Sequence, residues 1–301
     1  SLFAEVLAGK QVKQQLSISE VYQQLTAIAQ AAGSGSQEKK LELLLTLLKQ
    51  LDAQSAKYIS RIILGKMRLG FATMTILDAL SWTKTGGKAD SAELERAFQK
   101  KADLGKLAES YLLTYQKLSA RELVEHYQVE LGVPLVAALC QRLNSSAEIV
   151  AKMGRVLAEP KYDGLRVQIH FRRAGFANGL TYQAFTRNLE DVSHMFPELA
   201  SLERYLKCQT AILDSEAIGI NKKTGKFVPF QETIQRKRKH GIADLAAELP
   251  IRFFVFDLLW LDGKQLVDTA LEERKAKLEQ TLSDSAIAEK TKYLLSDDAQ
   301  K

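Results

Sequence analysis

The sequence predicts an all-α domain followed by an α+β domain of mainly antiparallel sheets, and three observations carry that reading. Up to about residue 140, apolar residues recur at helical spacing. Beyond about residue 155, short alternating runs rich in Val, Ile and Phe appear, with helical patterns between them. The polar stretch Gln141-Arg142-Leu143-Asn144-Ser145-Ser146 separates the two textures, so the expected domains are 1–143 and 148–301.

In the first region, Ser17-x-x-Glu20 and Ser119-x-x-Glu122 are capping-box patterns that start helices. Leu41, Leu44, Leu45, Leu48 and Leu51 follow the i, i+3, i+4, i+7 spacing. Leu43 and Leu47 widen that stripe, which predicts a mostly buried helix. Gly33-Ser34-Gly35-Ser36 and Gly86-Gly87 read as breaks between helices. In the second region, strands are expected at 166–171, 182–186, 211–220 and 252–261, and helices at 197–206 and 271–282.

Composition narrows the class of protein. A chain of 301 residues with 46% hydrophobic content supports real cores and more than one domain. No apolar run reaches membrane-spanning length, and the N-terminal residues lack a secretory-signal pattern. Cys140 and Cys208 have no close partner and read as reduced core thiols of an intracellular protein. The four histidines are scattered, which gives no structural zinc pattern. Net charge is +6, and residues 221–240 hold seven Lys/Arg against one acid, the whole excess of the chain. A basic cluster of that density, beside a catalytic motif, favours contact with a phosphate backbone over a merely solvated loop.

That motif is Lys161-Tyr162-Asp163-Gly164-Leu165-Arg166, which places a lysine beside an acid, a tight turn and an arginine, and leads into an alternating strand. The arrangement suits a lysine that attacks the α-phosphate of a nucleotide and holds it covalently. Lysine normally titrates near ~10.4, so such a nucleophile needs its free amine favoured by burial or by neighbouring cations, and Arg166 is the nearest cation in sequence. No G-x-x-x-x-G-K-[ST] loop is present, which argues against a P-loop ATPase.

Glu159-Pro160-Lys161-Tyr162-Asp163-Gly164-Leu165-Arg166 resembles the signature of covalent nucleotidyltransferases: ATP-dependent DNA ligases, RNA ligases and capping enzymes. Phe185-Thr186-Arg187-Asn188, Ile212-Leu213-Asp214-Ser215-Glu216 and Phe253-Phe254-Val255-Phe256-Asp257-Leu258 are similar to the motifs that follow it, in the same order. Pro229-Phe230-Gln231 followed by Arg236-Lys237-Arg238-Lys239 is similar to the DNA ligases of archaea and eukaryotes in particular. So is Gly65-Lys66-Met67-Arg68-Leu69-Gly70, which resembles the helical DNA-binding domain of those ligases.

The resemblance implies a helical DNA-binding domain followed by a nucleotidyltransferase (adenylation) domain. It implies Lys161 as the nucleophile that carries AMP, and Glu159 at the adenine edge. Arg166 and Arg187 would lie on the ribose or phosphates, Glu216 on a ribose hydroxyl or a metal, and Phe256 stacked on adenine. Lys66, Arg68, Arg236, Lys237, Arg238 and Lys239 would contact DNA. ATP and Mg²⁺ are the implied cofactors, and nicked duplex DNA the partner of a monomer, with a sliding clamp for the full-length protein.

Members of this family continue with a further metal-binding carboxylate, a two-lysine strand and an OB-fold, so the chain reads as part of a ligase. Two alternatives stay open in the sequence: an RNA ligase or capping-type enzyme, and a non-catalytic fragment that binds nicked duplex.

Overall fold

The computed structural model describes residues 16–65, 67–114, 119–137, 140–233 and 248–300. The chain divides into two compact units, Ser1–Ala72 and Thr73–Lys301.

The first unit holds α1 (Ile18–Gln30), α2 (Ser36–Lys49) and α3 (Ala53–Ile63). Ser17 and Glu20 form the expected capping box, with Glu20 N donating to Ser17 Oγ at 3.2 Å and Ser17 N to Glu20 Oε2 at 2.7 Å. Asp52 caps α3 by accepting from Ser55 N at 2.9 Å. Leu47, Leu48, Leu51 and Ala56 form the core, with Leu25, Ile28, Leu44 and Ile59 packed around them. The expectation of a mostly buried leucine helix does not hold. Leu41 is 65% exposed and Leu45 39%, because α2 buries chiefly its C-terminal end against the helices on either side. After α3, three residues take left-handed backbone: Gly65 (φ 62°), Arg68 (φ 51°) and Gly70 (φ 80°). Arg61 ties this segment down by donating from Nη1 to the Met67 carbonyl at 3.2 Å.

The second unit begins with α4 (Thr73–Thr85), α5 (Ser91–Lys100), α6 (Leu104–Glu109) and α7 (Ala120–His126). They pack around Leu77, Leu94, Leu107, Tyr111 and Leu123. The second capping box, Ser119 with Glu122, also forms. Next come α8 (Ser146–Met153) and β1 (Val156–Ala158), and later in the chain the short α9 (Phe230–Thr233). The main sheet contains β2 (Leu165–Arg172), β3 (Tyr182–Thr186), β4 (Thr210–Gly219), β5 (Ile251–Leu261), β6 (Lys264–Gln265) and β7 (Ala288–Lys290). Its order is β3-β2-β4-β5-β6, all antiparallel, with β7 added parallel to β5. β8 (Leu294–Ser296) pairs with β1 in a separate two-stranded sheet.

Period-two alternation decides which face of the sheet is which. Val167, Ile169 and Phe171 point inward with Leu213, Ala217, Phe253 and Val255. They meet the 3₁₀ segment Pro197–Arg204 and α10 (Leu271–Thr281), through Leu199, Leu202 and Leu278. The expected helix at 197–206 is therefore 3₁₀, while that at 271–282 is α-helical. Cys208 is buried as expected, but Cys140 is exposed, because it lies in the irregular polar stretch before α8.

Candidate functional site

The face of the sheet away from the core carries the polar residues of the motifs, arranged in rows by strand register. Arg166, Glu216 and Phe254 are cross-strand neighbours on β2, β4 and β5, and Gln168, Asp214 and Asp257 form the next row. A bulge in β5 at Phe256 shifts the register, so that Ser215 pairs with Val255 but Asp214 with Asp257. The extra residue changes the parity of the strand. Val255 faces the core before it and Leu258 after it, while Phe256 and Asp257 are both half-buried.

Lys161 lies on the exposed loop that joins β1 to β2, and its Nζ donates to the Tyr162 carbonyl at 3.3 Å. Three interactions fix that loop. On one flank, Glu159 accepts from Thr291 Oγ1 at 2.5 Å and from the buried Lys275 Nζ. On the other, the Tyr162 ring stacks on Phe254 with centroids 4.4 Å apart, and Phe227 packs edge-on against both. Beyond it, Gly164 N donates to Glu216 Oε1 at 3.0 Å. A Cβ on Gly164 would lie 2.5 Å from the Ala217 carbonyl oxygen, so the turn can approach β4 this closely only with glycine.

The charges on this face are held in pairs. Arg166 grips Asp214 as a fork, with Nε to Oδ1 at 3.0 Å and Nη2 to Oδ2. Arg274 grips Asp257 likewise, at 2.7 and 2.8 Å. Burial pushes the Asp214 carboxyl up, opposed by the Arg166 guanidinium, while the hydrogen bond to Asp214 raises Arg166 further. Burial also raises Glu216, opposed by the Gly164 N–H and by the charges of Lys161 and Arg166. Lys161 is exposed, and Arg166 is paired with Asp214.

Of the residues singled out in the sequence, Lys161, Arg166, Glu216 and Phe256 fall on one loop and one sheet face, and Glu159 lies on the flank of that loop. The Arg166 guanidinium sits 5.4 Å from the centre of the Phe256 ring. Arg187 is exposed on the loop after β3 and shares a small hollow with Arg166, Gln168 and Asp214. A larger cavity of about 720 Å³ opens between α5, α7 and this face. It is lined by Arg166, Asp214, Asp257 and Arg274, but not by Lys161, Glu159 or Glu216. Arg68 is exposed in the first unit, whereas Lys66, Arg236, Lys237, Arg238 and Lys239 lie outside the described residues.

Sequence reading missed Asp257, Arg274, Lys275, Thr291 and the Tyr162–Phe254 stack. One signal for Lys275 was present. With Leu271, Leu278 and Leu282 it follows the helical stripe of α10, so a cation stands where an apolar residue is expected.

No group of three or more His, Cys, Asp or Glu that could hold a metal occurs among the described residues. Asp214 and Asp257 are both engaged in forks, which leaves Glu216 as the carboxylate of these rows not committed to an arginine. One carboxylate together with substrate phosphate oxygens is a sufficient donor set for Mg²⁺, so the residues present fit that ion.

Comparison with known families agrees with the geometry. Residues 137–300 match the ATP dependent DNA ligase domain, and residues 2–81 match the DNA ligase N terminus. The chain belongs to the ATP-dependent DNA ligase family. It is 40% identical over 268 residues to DNA ligase 2 of Thermofilum pendens, covering 89% of this chain and 43% of that ligase. It is 37% identical over 288 residues to a DNA ligase of Pyrobaculum islandicum, covering 95% and 47%. It is 36% identical over 284 residues to a probable DNA ligase of Dictyoglomus turgidum, covering 94% and 47%. The chain thus spans about half the length of these ligases. No helix among its described residues is long and apolar enough to cross a membrane.

Proposed function

We propose that this chain carries the self-adenylating centre of an ATP-dependent DNA ligase, with Lys161 as the nucleophile. The observation that carries the reading is the Lys161 loop. It is pinned on both flanks beside a row of Arg166, Glu216 and an aromatic side chain, while the lysine itself stays open to solvent.

The lysine acts as a free amine. Its nitrogen forms a bond to the α-phosphorus of ATP, the bond to the bridging oxygen breaks, pyrophosphate leaves with that electron pair, and the amine proton passes to solvent. Arg166, already oriented by Asp214, presents cationic N–H groups toward charge developing on the phosphoryl oxygens. Glu216, held by Gly164, is placed for a ribose hydroxyl or for Mg²⁺, which supplies further charge neutralisation when bound. Phe256 offers an aromatic face, Arg187 a second exposed guanidinium, and Glu159 a base-recognising carboxylate. In the whole ligase the AMP then moves to a 5′-phosphate at a nick, and the 3′-hydroxyl displaces it.

The helical region 1–143 is proposed as the DNA-binding domain and 148–301 as the adenylation domain. Lys66, Arg68, Arg236, Lys237, Arg238 and Lys239 are proposed to bind DNA phosphates, nicked duplex DNA is the partner of a monomer, and a sliding clamp is the partner of the longer protein. The match of both segments to DNA ligase families favours this over an RNA ligase or a capping enzyme.

Intact-mass measurement after incubation with Mg²⁺ and ATP tests the reading. An AMP adduct is expected in the parent chain and none in Lys161→Ala; an adduct that persists in the variant would remove Lys161 from the role.

A further inference from the structure

Glu159 lies two residues before Lys161, across Pro160. A residue that precedes proline is biased toward extended backbone, and in extended chain residues i and i+2 project to the same side. Extended chain at this spacing would put the carboxylate and the amine on one side, and the Glu159 side chain is held by residues far away in sequence. Lys275, on the apolar stripe of α10, has a side chain only 3% exposed. Its Nζ donates to Glu159 Oε1 and, at 3.1 Å, to Thr291 Oγ1, and lies 5.2 Å from the centre of the Tyr293 ring. Thr291 in turn donates to the same Glu159 oxygen at 2.5 Å. Both bonds fall on Oε1, and among the described residues Oε2 accepts none.

A buried lysine inside an apolar stripe is costly unless it is paired, and a well-packed apolar side chain would serve stability as well. What the lysine and threonine accomplish together is orientation. They occupy one carboxylate oxygen, restrict the orientation of the group, and leave the other oxygen, two residues before Lys161 in sequence, as a pure acceptor. Such an acceptor suits the exocyclic amine of adenine and opposes the carbonyl oxygen that guanine presents there.

We infer that Lys275 and Thr291 are positioning residues that set the base selectivity of this site by fixing Glu159. The inference rests on the proposed nucleotide site, but it concerns binding and not the covalent step.

The test is equilibrium titration of the chain with ATP and, separately, with GTP, for the parent, Thr291→Val and Lys275→Met. Melting curves accompany each titration. Thr291→Val keeps the side-chain shape and removes only the hydroxyl, so it stays informative where Lys275→Met fails to fold. The parent is expected to prefer ATP. Thr291→Val is expected to lose roughly tenfold in ATP affinity while GTP affinity stays within about twofold, because a polar interaction specific to one base discriminates by such factors. A parent with no ATP preference would overturn the inference. Equal losses for both nucleotides, or an unchanged ratio in Thr291→Val, would overturn it as well. Formation of the Lys161 adduct separates the two readings. An adduct with a Thr291-independent preference sinks this inference alone, whereas a Thr291-dependent preference without an adduct sinks the nucleophile alone.

Discussion

A methyl group at Gly164 would lie 2.5 Å from the Ala217 carbonyl oxygen and 2.8 Å from Ile218 Cγ1, and backbone cannot swing aside as a flexible side chain can. Gly164→Ala is therefore expected to push the Lys161 turn off β4 and to break the hydrogen bond to Glu216. The cost should be about 1–3 kcal/mol in urea unfolding, the range for overpacking, with loss of the AMP adduct. At Arg166 the vulnerability is electrostatic. Arg166→Met would leave Asp214, only 5% exposed, as an uncompensated buried charge. Roughly 3 kcal/mol of destabilisation is expected, and Asp214→Asn in the same chain should restore part of it. His170 is fully buried, and burial lowers its pKa from 6.5 to about 3. Gly132 N donates to its Nδ1 at 3.0 Å, and its Nε2 meets Gln168 Oε1 at 2.9 Å, so the neutral ring is the form that fits. Because the folded pKa lies below the unfolded one, the contribution is complete above pH 6.5 and is lost as pH falls toward 3. Unfolding free energy should drop by up to about 1.4 kcal/mol per pH unit through this group, and His170→Gln should flatten the slope.

Elements differ in how openly the sequence announces them. The two capping boxes were legible because one Ser and one Glu three residues apart contain the whole interaction. The strands were legible because Val167, Ile169 and Phe171 alternate against a single buried face. The bulge at Phe256 was not legible, since an almost unbroken apolar and aromatic run hides a change of parity. The motif residues Lys161, Arg166 and Glu216 could be read as one site from their order, whereas Arg274, Lys275 and Thr291 reach it only through tertiary packing of α10 and the segment after β7. The segment 129–136 is a further example, lying across the outer sheet face through Val129, Leu135 and Ile212. Gln168 anchors it, accepting from Leu135 N at 2.8 Å. Gln168→Met should leave the sheet folded but raise the exchange rate of the Leu135 amide at least roughly tenfold, as local opening becomes easier.

At the scale of the whole molecule, the charge is unevenly placed. Lys222, Lys223 and Lys226 are exposed on the turn that carries Phe227, itself 54% exposed and packed edge-on against Tyr162, the neighbour of Lys161. A basic turn joined to the Lys161 loop is suited to track a phosphate backbone. Replacing the three lysines by alanine is expected to weaken nicked-duplex binding and to reduce the salt slope of log K by up to ~0.9 for each phosphate no longer neutralised. An unchanged slope would place the duplex elsewhere. The proposed chemistry turns on Lys161 taking the α-phosphoryl group of ATP. Parallel incubations with ATP labelled at the α- or the γ-phosphorus, followed by peptide mapping, test it most directly. Label is expected from the α position only, on the peptide that contains Lys161, and none in Lys161→Ala. Label retained from the γ position, or α-label on a different residue, would contradict it.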